Sequence, residues 1–151
     1  MRLPAGTIHV TYDALGRMTD RTSGLGDSTT GSSSAKWDYV TTAGSVDLGL
    51  LHSSSSTTVA GGHTFTTTSS VAYDPANHRP VSSTVTLPGG PGNTQVASLM
   101  GDLAGLTYTT NVGYDALGQV TSTEMPALGG LPNEKSVVGY RLSGQAQTLK
   151  L

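Results

Sequence analysis

The chain has 151 residues, the size of one ordinary domain. Hydrophobic residues make up 35% and charged residues 12%, so Ser, Thr and Gly fill the remainder, a composition that favours strands and turns over helices. The net charge of −2 and the eight scattered Lys plus Arg exclude both the basic stripe of a nucleic-acid binder and the high net charge that usually accompanies disorder. Cysteine is absent, which removes disulfide and thiolate chemistry. No apolar run is long enough for a membrane span, and Met1-Arg2-Leu3-Pro4 opens no signal peptide.

Taken in order, Ile8, Val10 and Tyr12 alternate with His9 and Thr11, which predicts a strand over 8–12. A turn at Gly16 and a partner strand from Arg17 to Thr22 follow. Residues 23–34 are rich in Gly, Ser and Thr and read as a flexible loop. Trp37 and Tyr39 share one face of a strand over about 36–42, and Asp47–Leu51 reads as a short strand of its own. Thr57–Ala60, Gly61-Gly62 and His63–Tyr73 spell a hairpin with a Gly-Gly turn. The alternation resumes at Val81, Ser83, Val85 and Leu87. Pro and Gly then mark a connector over 88–94. A short helical turn is expected over Gln95–Leu103, and a strand carrying Leu106, Tyr108, Val112 and Tyr114 comes next. A second connector covers 126–133. Val138, Tyr140 and Leu142 open the last hairpin, and Leu149 and Leu151 close it.

Within this run, one phrase recurs. Val10-Thr11-Tyr12-Asp13-Ala14-Leu15-Gly16-Arg17 is nearly repeated as Val112-Gly113-Tyr114-Asp115-Ala116-Leu117-Gly118-Gln119. Looser copies are Val71-Ala72-Tyr73-Asp74-Pro75-Ala76-Asn77 and Val138-Gly139-Tyr140-Arg141-Leu142-Ser143-Gly144. Val stands two places before each Tyr, so the two share a strand face. Gly16, Asn77, Gly118 and Gly144 each stand four places after it. Gly enters positive φ at no steric cost and Asn tolerates it, so these are the expected left-handed turn positions. Asp13, Asp74 and Asp115 read as turn residues whose carboxylates accept backbone N–H bonds two residues on. Arg141 in the last copy shows that the Asp is not obligatory. Each phrase is a β-hairpin, with turns near 12–19, 73–82, 114–121 and 140–147. The interval between repeat tyrosines shrinks along the chain, so the hairpins share chemistry rather than length, and extra strands are expected between Tyr12 and Tyr73.

Candidate reactive groups are few. Paired catalytic carboxylates must converge in unlike environments, whereas the three Asp repeat in like ones. His9, His52, His63 and His78 lack any metal-ligand spacing. No serine sits in a nucleophile elbow, and Gly24-Leu25-Gly26 is not a dinucleotide loop. No catalytic, cofactor or metal residue is therefore assigned, and the chain is expected not to be an enzyme. The repeat tyrosines read as packing residues. Trp37 and Tyr39, with polar flanks, are the candidate glycan contacts.

The Tyr-Asp-x-x-Gly-Arg/Gln phrase, preceded each time by a β-run, resembles the YD repeat of the RHS family. That family includes bacterial RHS and wall-associated proteins, toxin-complex shell components and teneurins. Connecting phrases such as Leu106-Thr107-Tyr108-Thr109-Thr110 and Leu128-Gly129-Gly130-Leu131-Pro132 resemble those of large secreted actinobacterial members. The resemblance implies an all-β fold over 1–151, a single repeat region of antiparallel hairpins forming a strip of a larger β-shell, an open sheet when taken alone. It further implies a structural role in a wall that encloses or presents a C-terminal cargo such as a toxin, with further repeats of the parent as partners. A cell-surface carbohydrate-binding role is the alternative. A secreted or cell-surface parent, of which this is a fragment, is expected on the same ground.

Overall fold

The computed structural model of the chain describes residues 6–24, 31–90, 93–128 and 130–151. The fold is all-β. Ten strands follow one another in a single antiparallel, open sheet whose hydrogen-bonded order is the sequence order, β1 to β10. They are β1 (Thr7–Tyr12), β2 (Met18–Gly24), β3 (Ser32–Tyr39), β4 (Leu51–Ala60), β5 (His63–Tyr73), β6 (Pro80–Thr86), β7 (Thr107–Tyr114), β8 (Val120–Met125), β9 (Glu134–Tyr140) and β10 (Ala146–Lys150). Residue contacts divide the chain into two compact units, Met1–Ser70 with Val85–Thr107, and Val71–Thr84 with Tyr108–Leu151.

In the first unit, β1 to β5 pair as successive antiparallel neighbours. Hydroxyls bond across these pairs, at 2.7 Å for Ser23 with Ser33, 3.1 Å for Ser54 with Ser69 and 3.0 Å for Thr57 with Thr66. The Ser/Thr-rich composition is thus a set of cross-strand contacts, the sheet's counterpart of apolar packing. After β6 the chain forms α1 (Thr94–Met100) and a 3-10 turn at Gly101–Leu103. Asn93 caps α1, its Oδ1 accepting the Val96 N–H at 3.3 Å, which satisfies one of the free donors at a helix start. Val96 is the one fully buried side chain among the described residues.

The second unit holds β8, β9 and β10 with the parts of β5, β6 and β7 that belong to it. Thr84 and Thr109 bond at 2.8 Å across it. A Lys135–Glu124 pair at 3.8 Å lies directly across β8 and β9, half exposed and worth a few tenths of a kcal/mol, roughly.

Several expected elements move. The stretch 47–50 is turn rather than strand, because its backbone closes a long hairpin bend instead of joining the ladder. Strands β2 and β3 run into the expected loop 23–34, Ser23-Gly24 in one and Ser32–Ser34 in the other, because they pair with each other there. Residues 25–30 lie outside the described residues. Within the connector 88–94, Thr94 already belongs to α1, and residues 91–92 lie outside the described residues. The connector 126–133 does separate β8 from β9, closed by a bridge between Leu128 and Leu131; residue 129 lies outside the described residues.

Candidate functional site

The chemistry of this chain concentrates where odd-numbered strands turn into even-numbered ones. Each such strand ends on a tyrosine: Tyr12, Tyr39, Tyr73, Tyr114 and Tyr140. The residue after the tyrosine does two things with its backbone. Its N–H donates to the carbonyl of the residue just before the return strand, as Asp13 to Arg17 at 2.9 Å, Val40 to Leu50 at 2.9 Å, Asp74 to Arg79 at 2.9 Å, Asp115 to Gln119 at 3.0 Å and Arg141 to Gln145 at 2.9 Å. Its carbonyl accepts the N–H of the residue two before the return strand: Gly16, Gly49, His78, Gly118 or Gly144. Those five have φ of 76°, 88°, 58°, 80° and 80°.

This geometry locates every predicted repeat residue. Val10, Val71, Val112 and Val138 are half-buried in the strands entering the turns. The Asp13, Asp74 and Asp115 carboxylates accept the N–H two residues on, from Leu15, Ala76 and Leu117, at 2.9, 2.8 and 2.9 Å. Gly16, Gly118 and Gly144 occupy the left-handed position. Asn77 does not; His78 does. The Asp74 turn holds one extra residue, and the left-handed position is fixed by distance to the return strand, not to the tyrosine. Asn77 acts through its side chain instead, its Nδ2 donating to Asp74 Oδ2 at 2.9 Å and its Oδ1 accepting the Arg79 N–H at 3.0 Å. In the shorter turns, Asp Oδ1 itself accepts that N–H, from Arg17 at 2.9 Å and Gln119 at 2.8 Å.

The same rule exposes a repeat that the sequence hides. Tyr39 ends β3 as Tyr12 ends β1. Four hairpins shift register by one residue beside their tyrosine, pairing Tyr12 with Met18, Tyr39 with Leu51, Tyr114 with Val120 and Tyr140 with Ala146. The Tyr39 turn carries an insertion between Val40 and Gly49, which removes the Asp-x-x-Gly spacing. The Tyr39 hydroxyl donates to the Met18 carbonyl at 3.1 Å and the Arg17 guanidinium lies 4.2 Å from its ring centre.

That contact is one instance of a clamp between successive hairpins. Tyr114 Oη donates to the Pro80 carbonyl at 2.9 Å, and Tyr140 Oη to the Val120 carbonyl at 2.8 Å. Met18, Pro80 and Val120 are each the first residue of a return strand. The clamp is reciprocal. The residue just before that return strand reaches forward to the left-handed glycine of the next turn. Arg17 Nη1 donates to the Gly49 carbonyl at 2.6 Å, and Gln119 Nε2 to the Gly144 carbonyl at 3.0 Å. Arg79 lies so close over Gly118 that a Cβ there would overlap its guanidinium, which also sits 5.6 Å from the Tyr114 ring centre. The terminal Arg or Gln of the repeat phrase thus has a partner in the following hairpin. Arg17 also holds Asp13, at 2.7 Å from Nη2 to Oδ2.

The remaining features are shallow. Trp37 is half-buried and lines a hollow of about 530 Å³ with Asp20, Lys36, Asp38, Ser53 and Ser55. Lys36 stands directly opposite Asp20 on β2 and Ser55 on β4. In the second unit, Tyr108, Met125, Leu128, Leu131 and Pro132 line an apolar cleft of about 300 Å³. Among the described residues no three His, Asp or Glu side chains gather as metal ligands, and no helix is long and apolar enough to cross a membrane. Comparison of the sequence with protein-family models and with curated proteins returns no match.

Two expectations follow. Gly16→Ala meets nothing within 4 Å and costs only its positive φ, about 1–2 kcal/mol. Gly118→Ala must also displace Arg79 from Tyr114, a further loss of about 0.5–1 kcal/mol. Urea unfolding is expected to rank Gly118→Ala as the worse, and the difference is expected to disappear in an Arg79→Ala background. The second concerns Asp13, whose pKa is lowered from 3.8, first by the Arg17 backbone N–H and then by the Arg17 side chain and the Leu15 N–H. A lowered folded-state pKa means that this carboxylate's contribution is complete above 3.8 and is lost as pH falls through the lower folded value. An NMR titration of the Asp13 carboxyl is expected to show its midpoint below 3.8, moving upward in Arg17→Gln; a midpoint at or above 3.8 contradicts the turn role.

Proposed function

We propose that this chain is a non-catalytic structural segment of an RHS-type YD-repeat wall, whose parent encloses or presents a C-terminal cargo such as a toxin. The observation that supports this is the reciprocal clamp. It is made from the very residues of the repeat phrase, the tyrosine and the terminal Arg or Gln, and it links one hairpin to the next. A device of that kind extends an array; it does not bind or transform a substrate. The repeat carboxylates, Asp13, Asp74 and Asp115, are each engaged within their own turns. The partners of such a segment are further hairpins of the parent, and its place is the cell surface or beyond, as for the family it resembles. Translating the reading frame on both sides of the segment is expected to give further Tyr-Asp-x-x-Gly hairpins and, downstream, a domain without them. A frame with no additional hairpin defeats the proposal.

A second reading, a carbohydrate-binding surface, draws support from the Trp37 hollow, where an indole stands beside two carboxylates, an ammonium and serine hydroxyls. Stacking on an aromatic ring with flanking hydroxyl and charged partners suits a sugar. Calorimetric titration with cell-wall oligosaccharides at millimolar concentration decides it: binding that Trp37→Ala abolishes supports the reading, and absence of heat removes it.

A further inference from the structure

Five of the six tyrosines end the strands that enter the turns. The sixth, Tyr108, is the second residue of β7 and belongs to no turn. Its hydroxyl has no hydrogen-bond partner among the described residues, and it lines the apolar cleft of about 300 Å³ in the second unit. Met125 and Leu131, at the same cleft, are 53% and 68% exposed. The connector that walls it is held in shape. Leu128 N–H donates to the Leu131 carbonyl at 3.2 Å and Leu131 N–H to the Leu128 carbonyl at 3.0 Å, while Pro126 and Pro132 restrict the backbone on either side. One charged group lines the cleft, Glu134, directly opposite Met125 across β8 and β9. Both of its sequence neighbours serve another carboxylate. Lys135 Nζ lies 3.8 Å from Glu124 Oε2, and Asn133 Nδ2 donates to Glu124 Oε1 at 3.3 Å. Lys135 and Glu124 face each other one position along from the Glu134–Met125 pair, and so project from the other face of the sheet. The Glu134 carboxylate therefore has no ion pair or hydrogen bond among the described residues, and no Lys, Arg or His lines the cleft.

We propose that this cleft binds a free small organic cation, an ammonium group carrying one aromatic ring or a branched alkyl body. The body lies against Met125, Leu128 and Leu131, and the ammonium beside the Glu134 carboxylate and the Tyr108 ring. The volume is at the small end for ligand pockets and suits a single ring with its head group. The Met125 thioether adapts to such a body. An aromatic ring face attracts a cation, and an uncompensated carboxylate does so more strongly. An anion of the same shape meets Glu134 as a like charge, and a neutral one gains nothing from it. A connector already fixed in its bound shape spares the cost of ordering it on binding. The site uses no clamp residue, so it goes beyond the structural role and is tested separately from it.

The test is an NMR titration of the full chain, labelled at its Met and Leu methyl groups, with benzyltrimethylammonium at constant ionic strength. The Met125 and Leu131 methyl signals are expected to shift with a Kd of about 0.1–10 mM, as suits a ligand of this size. Phenylacetate, a similar ring with the opposite charge, is expected to bind about 5-fold more weakly or worse. Glu134→Gln and Tyr108→Leu are each expected to weaken the ammonium about 2- to 5-fold. Glu124→Gln, on the other face, is expected to leave it unchanged. Glu134→Lys is expected to reverse the preference toward phenylacetate, a gain that an unfolded chain cannot give. Equal binding of phenylacetate by the wild-type chain, or an affinity that Glu134→Gln leaves intact, overturns the proposal. So does the absence of shifts up to about 50 mM ammonium, well above the expected Kd, or binding of a lysine-bearing peptide where the free ammonium fails.

Discussion

The hydrogen bond from a strand-end tyrosine to the carbonyl that opens the previous hairpin's return strand is the constraint on which this structure depends. A sheet with a single fully buried side chain among its described residues draws little from apolar burial. Cross-strand pairs contribute about 0.2–1 kcal/mol each, and backbone ladders alone leave register open to slippage where both faces are polar. The clamp removes that freedom. A slip of one residue would carry the tyrosine hydroxyl away from Met18, Pro80 or Val120, and the Arg or Gln away from its glycine. At the β2/β3 and β8/β9 junctions, two directional contacts do what a hydrophobic face does in an ordinary sheet.

This division of labour explains the composition. Ser and Thr on the strands bond laterally through their hydroxyls, with six cross-strand pairs between 2.7 and 3.1 Å among the described residues, and need no apolar partner layer. Charge is spent sparingly and locally. Arg17 serves its own turn through Asp13, the next turn through Gly49 and the next tyrosine through its guanidinium face. Its planar fork can make all three contacts at once, whereas Gln119 at the same position makes one. The glycines have two duties at one position, allowing positive φ and leaving room for the neighbour's side chain.

Variation in length is absorbed in the turns. The Tyr39 bend contains an insertion and the Asp74 bend one additional residue, yet both keep the backbone exchange and the left-handed residue two places before the return strand. Long insertions at a bend cost little once its two ends are held, because loop-closure entropy grows only slowly with length. The ends are what the clamp reads, so a repeat survives when its middle is rewritten.

The local chemistry of the bends was legible in the sequence. Tyr-Asp-x-x-Gly specified a hairpin because an Asx-type carboxylate supports so tight a bend and a residue free to take positive φ permits it, and the fold class followed from repeating it. The Tyr39 repeat was not legible, since its spacing is broken and its equivalence rests on pairing with Leu51 across an eleven-residue bend. Nor was the exchange of Asn77 for His78, which depends on counting back from a return strand whose start no local pattern marks. The role of the terminal Arg or Gln lay further out of reach. A side chain's partner in the next hairpin is a contact between segments tens of residues apart, and only the sheet's register brings them to hydrogen-bonding distance.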